Sequence, residues 1–137
     1  MASGIEDLRI LKDAEQVSDE VWEVMRAWDR LAKEIVGVQL ARAADSVGAN
    51  IAEAFGRYHY SDKIRFLYYA RGSLFETRFW LDRPTSRNLL PPQATRAYQA
   101  RLTNLGRRLN ALIRTLKSQA TTWKPKPPIA NRRWRLQ

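Results

Sequence analysis

The sequence predicts an all-α protein, an antiparallel up-and-down four-helix bundle over residues 1–118 followed by an extended or disordered basic tail over residues 119–137. Apolar residues recur at steps of three and four along most of the chain, the period of helices that bury one face. Prolines cluster within 84–92 and 125–128, where they would separate or end helices. A length of 137 residues with 45% hydrophobic residues suits one domain with its own core.

Helix one is predicted over about residues 6–30. The apolar residues that carry its pattern are Leu8, Leu11, Val17, Val21, Val24, Met25, Trp28 and Leu31. Ser18, with two acids after it, is an alternative N-cap for a shorter helix, because its hydroxyl can accept from free amides at a helix start. The turn between Asp29 and Glu34 contains neither Pro nor Gly, so only the apolar pattern indicates the boundary with helix two.

Helix two is predicted over about residues 33–57 and has three distinct faces. The first is a polar stripe of Gln39, Arg42, Ser46, Asn50, Glu53 and Arg57. The second is the apolar set Leu40, Ala43, Val47, Ile51 and Phe55. The third consists of the small residues Ala41, Ala44, Gly48 and Ala52, against which a second helix can approach closely.

Helix three is predicted over about residues 61–82, with Ser61 as its N-cap and Pro84 as its end. Helix four is predicted over about residues 92–118. A seam of large residues at steps of four and three marks its buried side: Tyr98, Leu102, Leu105, Leu109, Leu112 and Leu116. The prolines beyond Ser118 exclude helix there and predict the tail.

Two blocks of the chain resemble the bacterial four-helix-bundle proteins that are encoded in intervening sequences of 23S ribosomal RNA genes, together with their free-standing relatives. The first block is Arg42-Ala43-Ala44, Ser46, Ala49-Asn50-Ile51-Ala52-Glu53 and Gly56-Arg57. The second is Arg65-Phe66-Leu67, Ala70-Arg71-Gly72-Ser73-Leu74 and Glu76. The resemblance covers roughly residues 17–118 and departs from the family pattern at Ala41 and Ala54. It implies a helical bundle that forms a closed homo-oligomeric ring, expected to be a pentamer, with no established enzymatic activity.

Charge is distributed unevenly along the chain. Residues 1–82 contain 11 Lys/Arg and all 14 Asp/Glu, whereas residues 83–137 contain 13 Lys/Arg and no acid. A basic segment of this kind favours a polyanionic partner, so we expect a surface that binds RNA or DNA. The residues predicted to form it are Arg96, Arg101, Arg107, Arg108, Arg114, Lys117, Lys124, Lys126, Arg132, Arg133, Trp134 and Arg135.

The polar stripe of helix two continues in polar residues of helix three. We interpret the combined set as a structural network that fixes helix register or subunit contacts: Arg42, Ser46, Asn50, Glu53, Arg71, Ser73 and Glu76. Glu53 is expected to face Arg71 or Arg65, and Arg42 to face Glu76. The alternative is a polar pocket around Asn50, Glu53 and Arg71 that binds a small ligand.

An aromatic run is too large for a single bundle core: Tyr58, Tyr60, Phe66, Tyr68, Tyr69, Phe75, Phe79 and Trp80. An interface between copies would account for it, because aromatic residues are enriched in such contacts. A surface on which nucleic-acid bases stack is the alternative, since Arg57, Arg65 and Arg71 alternate with the rings.

Little in the sequence favours catalysis. The chain has no cysteine and one histidine, His59, and it has no glycine-rich phosphate loop or nucleophile elbow. We therefore expect no enzyme activity, no cofactor, no metal and no small-molecule substrate. No apolar run is long enough for a membrane span, and the start lacks a signal peptide, which indicates a cytoplasmic protein.

The leading hypothesis is a non-enzymatic homo-oligomer that binds RNA or DNA. The alternative is a protein-binding scaffold, analogous to the accessory bundles of reverse transcriptases.

Overall fold

The computed structural model describes residues 4–124, and within them every regular element is helical. Helix α1 spans Gly4–Arg26. Helix α2 covers residues 30–56 as one rod, built from a first turn Arg30–Ala32, a π-helical turn Lys33–Gly37 and the α-helix Val38–Gly56. Helices α3, Tyr60–Ser86, and α4, Pro92–Thr122, complete the bundle. The predicted all-α class is confirmed.

Neighbouring helices run in opposite directions. Arg71 and Arg78 of α3 contact Asn110 and Gln99 of α4, so partner numbers fall on one helix as they rise on the other. Between α1 and α2, Ser18 bonds Asp45, and Met25 packs beside Gly37. A Cβ added at Gly37 would lie 2.8 Å from the Met25 methyl carbon, so a larger residue there would require the Met25 side chain to move. Ser18 therefore joins two helices in the middle of α1 and does not cap a shorter one.

The core contains one apolar face of each helix. Its largest fully buried side chains are Ile10, Val21, Val36, Leu40, Ile51, Leu67, Leu74, Leu81, Leu102, Leu105 and Leu109. Of the small residues predicted to admit a second helix, Ala44 and Gly48 are buried, and the side chains nearest Gly48 belong to α1. Among residues 4–124, no helix is both long and apolar enough to cross a membrane.

The boundary between the first two helices differs from the prediction. Helix α1 ends at Arg26 and not near residue 30, and Trp28 lies in the turn, where its indole N–H donates to the Leu89 carbonyl at 3.1 Å. Asp29 is the N-cap of α2, because its carboxylate accepts from the Ala32 amide at 2.9 Å. Helix α2 consequently begins three residues before the predicted position.

The end of α3 is set by Asn88 and not by Pro84. The helix continues through a buried Pro84 to Ser86, and Asn88 then takes the left-handed conformation, with φ of 59°. The Leu89 and Asn88 amides donate back to the carbonyls of Pro84 and Thr85, which is the Schellman arrangement. A proline in a helix lacks an amide donor and crowds the carbonyl four residues earlier, but Pro84 lies in the last turn, so it does not stop the helix before Ser86.

Two further boundaries correct the prediction. Helix α3 begins at Tyr60, and its N-cap is His59, which makes no side-chain capping bond, so Ser61 lies inside the helix. Helix α4 continues to Thr122, so residues 119–122 of the predicted tail are helical, and the Thr121 and Thr122 hydroxyls donate to the Ser118 carbonyl. Residues 125–137 lie outside the described part of the chain. They include Lys126, Arg132, Arg133, Trp134 and Arg135 of the predicted site.

Candidate nucleic-acid interface

The basic residues of α4 fall into two sets with different surroundings. Arg101 and Arg108 face α1 and are neutralised there. Arg101 forks onto the Glu20 carboxylate at 2.6 and 3.0 Å, and Arg108 bonds Glu6 at 3.1 Å and also Asp13. The Arg101 hydrogen bond lowers the pKa of the Glu20 carboxyl below its ordinary value.

Arg101 and Arg108 were predicted among the residues that bind RNA or DNA, but their charges are neutralised by acids of α1. No Asp or Glu lies on α4 itself, so the sequence of that helix alone does not show these pairs. The acids come from α1, where Glu6, Asp13 and Glu20 recur every seven residues, the same step that separates the two arginines. This shared seven-residue spacing of the acids and the arginines is the sequence feature that could have predicted the ion pairs.

The other set of α4 arginines is unpaired. Arg96, Arg107 and Arg114 are exposed, and their spacing of eleven and seven residues places them in one row along the outward face of the helix. None of the three lies within ion-pair distance of a carboxylate in residues 4–124.

Three more cations lie along the seam between α3 and α4. The Arg71 guanidinium donates to the Asn110 side-chain oxygen at 3.0 Å and lies 4.9 Å from the centre of the Tyr68 ring. Lys117 donates to the Tyr68 hydroxyl at 2.6 Å and thereby lowers the pKa of that phenol. On the same seam, Arg78 donates to Gln99 at 3.0 Å.

The direct partners of these three cations are neutral amides and a phenol, and none of the three forms an ion pair in residues 4–124. Gln99 also donates to the Asp82 carboxylate at 3.1 Å, so an acid lies near Arg78. We define the α3–α4 basic surface by its six cations: Arg71, Arg78, Arg96, Arg107, Arg114 and Lys117. Lys124, at the end of the described chain, is exposed two residues beyond α4.

The residues of the predicted polar network do not form one connected network in the structure. Asn50 donates to the Ser46 carbonyl and hydroxyl, at 2.8 and 3.3 Å. Glu53 pairs with Arg57, one turn away on the same helix, at 2.6 Å, and not with Arg71 or Arg65. Arg71 lies on the α4 side of α3, and Arg65 pairs with Asp62. The predicted Glu53–Arg71 contact is therefore wrong within the chain.

Other members of that network lie apart. Arg42 and Glu76 are both exposed and form no ion pair in residues 4–124, so their predicted contact is also absent there. The Ser73 carbonyl accepts from the Thr77 hydroxyl at 2.7 Å. Because Arg71 faces α4 while Asn50 and Glu53 belong to α2, the three do not form the alternative pocket.

A buried lysine escaped sequence reasoning. Lys63 lies 8% exposed in the first turn of α3, and its ammonium is 3.5 and 3.4 Å from the carbonyls of Ala54 and Phe55 at the end of α2. Asp7 shares this region, and burial raises the pKa of its carboxyl while Lys63 lowers it. The available signal was a cation shortly after a helix end, where it can meet free carbonyls.

The residues weighed for other chemistry lie at the surface. His59 is exposed in the turn between α2 and α3. Within residues 4–124, no group of three or more His, Cys, Asp or Glu side chains could hold a metal ion. Of the aromatic run, Tyr58, Tyr69, Phe75 and Phe79 are exposed, whereas Tyr60, Phe66, Tyr68 and Trp80 pack partly against the core.

Comparison with known proteins agrees with this architecture. The crystal structure of a protein with unknown function from the S23 ribosomal protein family of Bacteroides thetaiotaomicron superposes with a TM-score of 0.71 at 20% identity, covering 80% of this chain and 98% of that one. No curated protein matches the chain. The model of the family described as 23S rRNA-intervening sequence protein matches residues 6–111. The chain therefore belongs to the 23S rRNA-intervening sequence protein family, as the sequence blocks indicated.

Proposed function

We propose that this chain is a non-enzymatic binding protein that presents its α3–α4 basic surface to RNA or DNA. One observation carries the proposal: the cations of this surface have no carboxylate partner in residues 4–124, whereas Arg101 and Arg108 on the opposite side of α4 are paired with acids of α1. Positive charge is thus concentrated on one side of the bundle. Such a surface attracts a phosphate backbone, because binding releases the counterions condensed on the polymer.

The residue types support a phosphate ligand. Five of the six cations are arginines, whose planar guanidinium presents forked donors that match phosphate oxygens. No helix-turn-helix or zinc module, of the kind that reads base edges in a groove, is recognisable in the sequence. We therefore expect affinity for many sequences and little discrimination among them.

We also propose that the protein acts as a homo-oligomer, for which the family resemblance implies a pentameric ring. Four large apolar side chains, between 45% and 66% exposed, surround the α1–α2 corner: Trp22, Leu31, Ile35 and Val38. Met25, three residues after Trp22, packs beside Gly37, which lies between Ile35 and Val38 in the sequence. If a second copy covers this apolar corner, the assembly carries several basic surfaces, and one long polyanion can contact more than one of them at once.

The binding proposal is tested with a triple substitution on α4. Replacing Arg96, Arg107 and Arg114 by glutamine should weaken binding to labelled RNA and DNA in fluorescence anisotropy by at least tenfold. It should also reduce the slope of log affinity against log salt by about 2 to 3, because roughly 0.7 to 0.9 counterions are released for each neutralised phosphate.

The matched control replaces three exposed arginines elsewhere, Arg9, Arg26 and Arg30, by glutamine. This variant loses the same charge, so equal weakening in both variants would show that net charge and not the α3–α4 surface governs binding. If the unmodified protein binds neither polymer at about 50 mM salt, the proposal fails and a protein-binding scaffold is the better assignment.

A further inference from the structure

The α3–α4 basic surface carries an exposed aromatic residue between its anchored arginines. Phe75 is 57% exposed, and it follows Arg71 by four residues and precedes Arg78 by three. All three therefore lie on one side of α3, about one helical turn apart. An exposed apolar ring flanked by two guanidinium groups matches a ligand that has both a planar apolar face and phosphates.

Phe75 differs from the similarly exposed Phe79 in its contacts. The Phe79 ring meets Trp80 edge to face at 5.1 Å, and the Arg83 guanidinium lies 5.2 Å from its centre. In the described part of the chain, no aromatic ring or cation occupies the same kind of position on Phe75. Its exposed ring is therefore available to a planar ligand between Arg71 and Arg78.

The flanking arginines are already held in place. Arg71 is half-buried, lies against the Tyr68 ring and is bonded to Asn110 through one of its terminal nitrogens. Arg78 is half-buried and bonded to Gln99 through its Nε. Each retains unused N–H donors. Because these side chains are ordered before binding, a phosphate that contacts them costs little additional conformational entropy.

We propose that this surface binds single-stranded nucleic acid, with Phe75 stacking on a base while Arg71 and Arg78 contact the phosphates on either side. The inference rests on the proposed function and specifies its ligand. Only an unpaired base can leave its neighbours to stack on a protein ring, whereas duplex bases are stacked and paired internally. Arg107 and Arg114 form a parallel row on α4, with a spacing of about 10 Å along each helix, and they provide further phosphate contacts.

The test compares a uridine oligonucleotide of about 12 nucleotides with an abasic strand of the same length and a duplex. Phe75→Ala should weaken binding to the uridine strand by roughly tenfold, the order expected for one stacked base, and should leave the abasic strand and the duplex unchanged. Phe75→Trp should retain or increase affinity for the uridine strand. Tyr69→Ala removes a similarly exposed ring on a different side of α3 from Arg71 and Arg78, and it should have no effect.

Each alternative outcome identifies a different failure. Equal weakening of the uridine and abasic strands by Phe75→Ala would show that the ring does not stack on bases, and so would no change at all. A lower oligomer mass for Phe75→Ala would assign the ring to a contact between copies and overturn the inference. In both cases the unmodified protein still binds polyanions. If it binds none of the three probes, the proposed function itself has failed.

Discussion

Lys63 is a buried cation that has no ion-pair partner in residues 4–124. Its ammonium instead approaches the carbonyls of Ala54 and Phe55, which lie at the negative end of the α2 dipole. The same lysine is in the first turn of α3, so one side chain joins the end of one helix to the start of the next. Its role is to satisfy acceptors that the helix leaves free.

Replacing Lys63 by methionine retains most of the apolar stem but removes the charge. We expect the free energy of unfolding to fall by about 1 to 2 kcal/mol, measured by urea denaturation. Lys33→Met is the control, because Lys33 is exposed and its loss should change stability by less than about 0.5 kcal/mol. Equal effects of the two substitutions would show that the α2 carbonyls do not depend on Lys63.

Helix α1 is attached to α4 by a row of ion pairs with a seven-residue repeat. Glu20 pairs with Arg101, and Asp13 and Glu6 pair with Arg108. Asp13, Arg101 and Arg108 also line a groove of about 360 Å³ between the two helices. The groove shows that apolar packing between these helices is incomplete. The charged residues therefore fix the register of α1 on α4 more than they add to the core.

The Glu20–Arg101 pair should contribute modestly and in a pH-dependent way. Both side chains are more than a third exposed, so a double-mutant cycle with Glu20→Gln and Arg101→Gln should give a coupling below about 1 kcal/mol. The pKa of Glu20 is lowered in the folded state, so this stabilisation is present above the ordinary carboxyl pKa and is lost as the pH falls below about 4. Coupling that persists unchanged at acid pH, or additive single effects at neutral pH, would contradict the ion pair.

The order and number of helices could be predicted because periodicity is a local property of the sequence. The boundaries were less accurate because they depend on particular capping residues. Asp29 caps the start of α2, and Asn88 follows the end of α3. The prediction took Pro84 as the end of α3, which was too early, because the helix continues to Ser86. Short polar residues can cap a helix or lie within a turn, and the choice between these roles depends on backbone angles that the sequence does not show.

In the candidate site, the features that depend on spacing within one helix could be predicted, whereas those that depend on contacts between helices could not. Arg96, Arg107 and Arg114 were predicted among the residues of the basic surface, and helical spacing alone aligns them in one row. The neutralisation of Arg101 and Arg108 could not be deduced from their own helix, since the acids are about 80 to 100 residues away in the chain. Arg71 and Arg78 belong to the surface because α3 packs beside α4, a contact that the spacing of residues within either helix does not show.

At the scale of the whole molecule, opposite sides of the bundle have different chemistry. The α3–α4 basic surface is rich in unpaired charge, whereas the α1–α2 corner exposes Trp22, Leu31, Ile35 and Val38. A molecule of this kind can use one side for assembly and leave the other for a ligand. Contact through the apolar corner would thus place several basic surfaces on the outside of one particle.

Self-association through the α1–α2 corner predicts a mass well above that of the 15.9 kDa chain when size exclusion is combined with light scattering. Ile35→Glu with Val38→Glu should reduce this mass toward that of one chain, because two charges would be buried without partners in the contact. Leu8→Glu is the control, since Leu8 is equally exposed but lies near the other end of α1. A mass of one chain for the unmodified protein at micromolar concentration, or the same loss of mass in the Leu8 variant, would contradict assembly through this corner.

If assembly does occur there, the double variant should bind a long RNA much more weakly than the unmodified protein does. Its affinity for a strand that spans one subunit should be unchanged, because only simultaneous contacts are lost.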